Sequence, residues 1–234
     1  MKIVFRCDPA IGRLLPKPMP AREGLPDWLK SMPRTAFSDF HGQDIRTVKQ
    51  CPPFIDAMST GFLIPLPCDV MVEAGRFSWD WPLPPLSLAD HPRSPLSFHV
   101  PAQLEGSPLF QEGRPAIKFN SFWTIELEEG WSLLAMHPAN RLDLPFRLLT
   151  GVVDSDRFSD IGIFFPALWI DTSFSGLLPK GTPVAHCIPF RREEMALEFG
   201  ELAGDRAERF AAVTREILEA PGIYRRRYRS KGPR

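Results

Sequence analysis

Three aspartates, Asp154, Asp156 and Asp160, interrupt the run GVVDSDRFSDIGIFF, which otherwise reads as core strand. If the strand continues through Asp156, Asp154 and Asp156 point to the same face, because side chains two apart share one. Two carboxylates on one face call for a cation or an arginine; without one, repulsion raises the pKa of either. The alternative is a tight turn capped by both acids through Asx bonds, with Arg157 as partner. A second cluster, His137-Pro-Ala-Asn-Arg-Leu-Asp143, packs several hydrogen-bonding groups into one turn. As chemistry, His137 is a candidate general base or metal ligand and Arg141 an anion clamp. As structure, Asn140 and Asp143 cap the turn and Arg141 pairs with Asp154 or Asp156. His186, inside the apolar run VAHCI, is either a satisfied core histidine or a ligand. The working expectation is that the aspartate pair and the HPANR turn meet in one polar pocket.

Several other chemistries have no support. His99, His137 and His186 lack the His-x-Asp/Glu pairing of an iron facial triad. His41-Gly-Gln-Asp44 has the wrong spacing for one. The phosphate-cradling Gly-x-x-x-x-Gly-Lys-Ser loop, Gly-x-Gly-x-x-Gly, Gly-x-Ser-x-Gly and His-Glu-x-x-His are all missing. The four cysteines, at 7, 51, 68 and 187, form no Cys-x-x-Cys clip, so they read as reduced thiols rather than zinc ligands.

The elements that must position these groups are short. The chain has 234 residues, enough for one large domain with appendages. Proline, at 26 residues, is about twice its usual frequency and limits long regular elements. Apolar bulk accompanies it, so it does not signal disorder. Lys+Arg and Asp+Glu balance at 28 each, which argues against a whole-protein field for nucleic acid. No run approaches 18 apolar residues, so nothing is expected to span a membrane. MKIVFRCDPA lacks an apolar stretch of signal length, and a cytoplasmic location is the expectation.

KIVFR reads as a first strand, followed by a proline-rich arm with one helical turn at 26–31. The arm either packs on the protein's own surface through Trp28 and Leu29 or wraps a partner. Residues 46–191 break into short apolar runs between Pro, Gly and Asp: TVKQ, GFLIPLP, CDVMVE, RFSWDW, SFHVPA, AIKFN, FWTIELE, GWSLLAMH, FRLLTGVV, IGIFFP and TPVAHCIPF. That rhythm predicts a mostly β domain, a sandwich, jelly roll or distorted barrel. Beyond Arg191, Phe210, Val213 and Ile217 recur at helical spacing. Asp205 is a candidate N-cap, Gly200 and Gly204 candidate breaks, and Pro221-Gly222 a stop. The end, YRRRYRSKGPR, is either a phosphate-contacting tail or a frayed terminus.

GVVDSD, followed about 25 residues later by LPKGTPVAHCI, resembles the dUTPase and dCTP deaminase family. Gly151, Val152, Val153, Asp154 and Asp156 match that family's Gly-Val-Ile-Asp-x-Asp motif; Lys180, Gly181, Val184, Ala185 and Ile188 match its Lys-Gly element. STGFLIPLPCDVMVEAG and LLAMHPANR resemble two earlier segments, in the family's order, over about half the chain. The resemblance implies a dUTPase-like barrel, Asp154 as the carboxylate that orients water, a divalent metal such as Mg bridging the phosphates, and a homotrimer. Departures accompany it. Leu63 stands for an Asp, Ala139 and Asn140 for an Arg and a Ser, and Arg157 for the aromatic that stacks on the pyrimidine. No glycine-rich lid follows, so dUTP hydrolysis is expected to be lost. A closer resemblance, through LPDWLKSMP, TVKQCPPFIDAMSTGFLIPLP, HPANRLDLPF, GVVDSD and LPKGTPVAHCIPFRRE, is to an uncharacterised family of phages and bacteria, and brings no activity with it.

The resulting organisation is an N-terminal strand and arm (1–45), a β domain (46–191), and C-terminal helices with a basic tail (192–234). Two functions follow. In the first, Asp154 and His137 are catalytic, and Asn140, Arg141, Asp156, Lys180 and His186 bind a nucleotide or another small anion, with Mg if a metal is used. In the second, the chain is a non-catalytic interaction or assembly protein that uses its proline arm and basic tail.

Overall fold

The computed structural model describes residues 1–88, 92–220 and 222–230. In chain order these form β1 (Val4–Arg6), β2 (Met19–Pro20), α1 (Asp27–Ser31), β3 (Thr35–Ser38), β4 (Gln43–Arg46), α2 (Pro52–Ser59), β5 (Phe62–Pro65), β6 (Val70–Glu73), β7 (Arg76–Ser78) and β8 (Leu96–Phe98). They continue with β9 (Ala116–Glu126), β10 (Trp131–Met136), β11 (Phe146–Leu148), β12 (Gly151–Val153), β13 (Gly162–Trp169), β14 (Gly176–Leu178), β15 (Pro183–Arg191) and α3 (Asp205–Glu219). The protein is mostly β, 31% strand against 19% helix. All strand pairings among the described residues are antiparallel. The chain divides into two units, each drawn from separated segments: residues 1–31 with 57–192, and residues 32–56 with 193–234. A contiguous arm, β domain and tail is therefore not how the contacts fall.

The first unit holds three sheets. One runs β1-β9-β13-β11, with β8 also on β9; another runs β12-β10-β15-β5-β2; the third is β14-β6-β7. None of these closes into a barrel among the described residues. Their apolar faces share one core that includes Phe119, Phe146, Phe165 and Trp169 from the first sheet, Leu133, Ala185 and Cys187 from the second, and Val70 and Leu178 from the third. The alternation read from DVMVE is the burial alternation of β6. In β13, inward and outward residues alternate the same way. This strand runs past Pro166 to Trp169, beyond the run IGIFFP. Pro166 sits one step past the last β11 pair, Leu148↔Ala167, where its carbonyl accepts from Leu149 N–H; its missing N–H falls at that open end. FRLLTGVV is not one strand: its halves, β11 and β12, belong to different sheets. TVKQ is a 3-10 turn rather than a strand.

The proline-rich arm belongs to the first unit and is packed. Ile11 and Leu15 bury against Phe122, Leu29 is buried, and Trp123 Nε1–H donates to the Pro16 carbonyl at 3.0 Å.

The second unit contains the hairpin β3–β4, in register Phe37↔Asp44, together with α3 and a π-helical turn at Tyr224–Tyr228. Arg229 holds Asp56 with two bonds of 3.0 and 2.6 Å, which ties its two segments together. The helix starts at Asp205, so Gly204 rather than the expected Asp205 holds the cap position. Residues 192–203 are not helical, so only one helix forms where Gly200 and Gly204 suggested two. Pro221 and the last four residues, which carry the stop signal and part of the basic tail, lie outside the described residues. No described helix is long and apolar enough to cross a membrane.

Candidate functional site

The strand β10 decides where the candidate residues go. Pairing with β12 sets Leu133 opposite Val153, so Asp154 and Asp156 follow beside the start of β10. The HPANR turn leaves from its other end, after Met136. At about 3.3 Å per residue, six residues of strand hold the two clusters on the order of 15–20 Å apart. The expected single pocket does not form. Lys180 is at neither cluster: its Nζ donates to the Leu14 carbonyl at 2.7 Å, and its backbone N–H to Asp69 at 2.6 Å.

At the aspartate end, β12 stops at Val153 and the chain turns, with Arg157 and Phe158 N–H both donating to the Asp154 carbonyl. A turn forms, but neither acid caps it through an Asx bond; both carboxylates meet one arginine, and it is Arg192, not Arg157. Its guanidinium donates to Asp154 Oδ1 at 3.3 Å, to Asp156 Oδ1 at 2.9 Å, and also to Asp156 Oδ2. Asp156 further accepts from Gly130 N–H at 2.9 Å, and the buried Ser132 hydroxyl donates to Asp154 Oδ1 at 2.6 Å. The two acids differ in access, since the Asp154 side chain is 55% exposed and that of Asp156 is 3%. Hydrogen bonding by Arg192 holds the Asp156 carboxyl far below the usual carboxylate range. A divalent metal does not fit here, because the guanidinium fills the space between the carboxylates where a cation would sit. Among the described residues no three His, Cys, Asp or Glu side chains converge as a metal site. Asp156→Asn should keep the bond from Gly130 but lose the ion pair; a melting temperature several degrees lower at pH 7 is expected from a thermal melt.

At the other end, both histidines are fastened into the scaffold. His137 Nε2–H donates to the Arg141 carbonyl at 2.7 Å, and its Nδ1 accepts from Leu148 N–H at 3.3 Å. His186, 1% exposed, donates from Nε2 to the Thr60 carbonyl at 2.5 Å and accepts from Ala139 N–H at 3.3 Å. Burial lowers the pKa of both rings, so each is a neutral Nε2–H tautomer with no nitrogen left for a substrate. Arg141 does not reach Asp154 or Asp156. It grips Asp143, from Nε at 2.8 and 3.1 Å and from Nη2 at 2.8 Å. Asn140 is exposed, in a left-handed conformation with φ 58°, the turn position that asparagine tolerates.

No protein-family model and no curated protein matches the chain.

Two clefts border the stretches singled out above. One, of about 480 Å³, lies between the arm and the HPANR turn, with Glu23, Trp28, Leu63, Arg141 and Gly181 among its walls. The other, of about 530 Å³, is lined by Arg6, Cys7, Thr124, Asp160 and Phe164, and takes the third acid of the GVVDSDRFSDIG stretch. Burial and the Asp8 charge raise the Cys7 thiol's pKa, which keeps it protonated and a poor nucleophile. Ser132 and Arg192 were missed; a 36-residue separation between Arg192 and Asp156 leaves no local signal, only the β10–β15 pairing that brings them together.

Proposed function

We propose that the chain is a non-catalytic interaction or assembly protein, with a dUTPase-like β scaffold that no longer performs pyrophosphate chemistry. The observation that carries this is α3. It is fifteen residues long and has no buried residue. Phe210, Ile217 and Leu218 are 60%, 51% and 77% exposed on it. A free helix of that length is marginal in water, and helices in proteins are held mainly by packing an apolar face. Met195, Leu197 and Phe199, on the extended segment before it, are also exposed. The hairpin β3–β4 is a sheet of two strands with Phe37 exposed, and such hairpins are barely stable alone. These elements are the kind a partner completes.

Burying the parts of Phe210, Ile217 and Leu218 still exposed is worth about 3–6 kcal/mol per copy. Association costs about 4–15 kcal/mol, so the helix face alone is borderline and the preceding segment tips the balance. Self-association is the assembly favoured, because a net charge of zero leaves copies free to meet without repulsion. The internal fastening of His137, His186 and Asp156 supports the loss of catalysis. The packed arm moves the proposed contact surface from the prolines to the second unit.

Light scattering on the full chain at rising concentration is expected to give more than one copy per particle. Phe210→Ser/Ile217→Ser/Leu218→Ser should give a monomer that keeps the cooperative melt of the first unit. A monomer at all concentrations whose α3 amides exchange slowly would overturn the reading. So would release of pyrophosphate from dUTP that Asp154→Asn abolishes.

A further inference from the structure

The cleft under the arm is built for a ligand of definite charge. Its floor is apolar, from Leu63 and Pro65 on β5 and Pro183 at the start of β15. Its wall is Trp28, 37% exposed. The Asp143 carboxylate, which Arg141 grips through three bonds, lines the same cleft. Arg141 is placed in turn by its carbonyl bond to His137, and the preceding turn by the bond from Ala139 to His186. Trp28 brings the π surface of its indole to the lining of this cleft.

The charges lining the cleft are three carboxylates, Glu23, Asp27 and Asp143, against two cations, Lys30 and Arg141. Asp143 belongs to Arg141, and Asp27 accepts from Lys30 at 2.9 Å. Glu23 forms no ion pair among the described residues and is exposed at the rim. A π surface beside an unpaired carboxylate, over an apolar floor, favours a cation on an apolar body. The volume, about 480 Å³, is that of a small-molecule site.

We propose that this cleft binds organic ammonium ions, with the ammonium between Glu23 and the face of Trp28 and the apolar body on Leu63 and Pro183. The site lies in the first unit and uses none of α3, so it stands or falls apart from the assembly reading.

The probe is 2-phenylethylammonium, with 2-phenylethanol as its neutral counterpart, followed by the Trp28 indole resonance in the full chain. Trp28→Phe assigns that resonance. The ammonium ion should shift it saturably and bind roughly tenfold more tightly than the alcohol. Glu23→Gln should weaken the ammonium ion about threefold or more and leave the alcohol unchanged. Trp28→Leu should weaken it about 2- to 5-fold, with an unaltered melt showing that the variant is folded. Raising salt to 0.5 M should erode the preference, as expected for a rim carboxylate. Equal binding of the two probes, no saturable shift, or indifference to Glu23→Gln would each overturn the proposal.

Discussion

Gly61→Ala should cost about 4 kcal/mol or more in urea unfolding, or leave the protein unable to fold. Gly61 joins α2 to β5 with φ +76°, and a Cβ there would lie 2.1 Å from the Cys187 carbonyl oxygen. Two penalties coincide. The left-handed conformation costs an ordinary residue about 1–2 kcal/mol. The contact is with backbone in the β5–β15 ladder, pinned by Phe62↔Cys187, so no side chain can move aside. The Gly61 carbonyl also accepts Ala21 N–H at 3.0 Å, so displacing it loosens the arm. Gly130→Ala separates the two terms. Its φ is +83° but nothing lies within 4 Å of a Cβ, and only the conformational cost, about 1–2 kcal/mol, should appear. Equal losses at the two sites would show that the close approach at Gly61 is not real.

The second large effect is with pH. His137 and His186 are buried neutral, with pKa values below the ordinary 6.5. Between those lowered values and 6.5 the unfolded chain binds more protons than the folded one, so stability rises with pH there. The contribution is fully present above pH 6.5 and is lost as pH falls below it toward the folded values. Urea midpoints are therefore expected to drop between pH 7.5 and 5, before any carboxylate titrates. Asp143 and Asp156 act later: their lowered values stabilise the fold above the ordinary carboxylate range, and that part goes only below about pH 4. His137→Asn/His186→Asn, though less stable at neutral pH, should show a flat profile from pH 7.5 to 5. A wild-type profile already flat across that window would contradict neutral, buried rings.

The β character was legible because period-2 burial is written into runs such as DVMVE, which became β6. The last helix was legible for the corresponding reason, helical spacing of apolar residues. What stayed hidden was pairing at long range. The acids of GVVDSD announced that they needed a cation, and the nearest, Arg157, was a reasonable local guess. The answer came from Arg192, delivered by register across β10 and β15. The HPANR turn looked reactive because histidine and arginine side chains cannot be told apart by use from sequence; here backbone carbonyls and Asp143 consume them. Residues 43–45 read as the end of the arm because a hairpin's partner strand carries no apolar alternation when both its faces are exposed.

The second unit's assembly from two separated segments bears on how the protein is made. A nascent chain leaves the ribosome at about 5–20 residues per second. Met32–Asp56 emerges early, yet the segment that complements it begins only at Glu193. For on the order of ten seconds this segment lacks the residues that share its unit. A message cut short after residue 192 would leave that interval permanent.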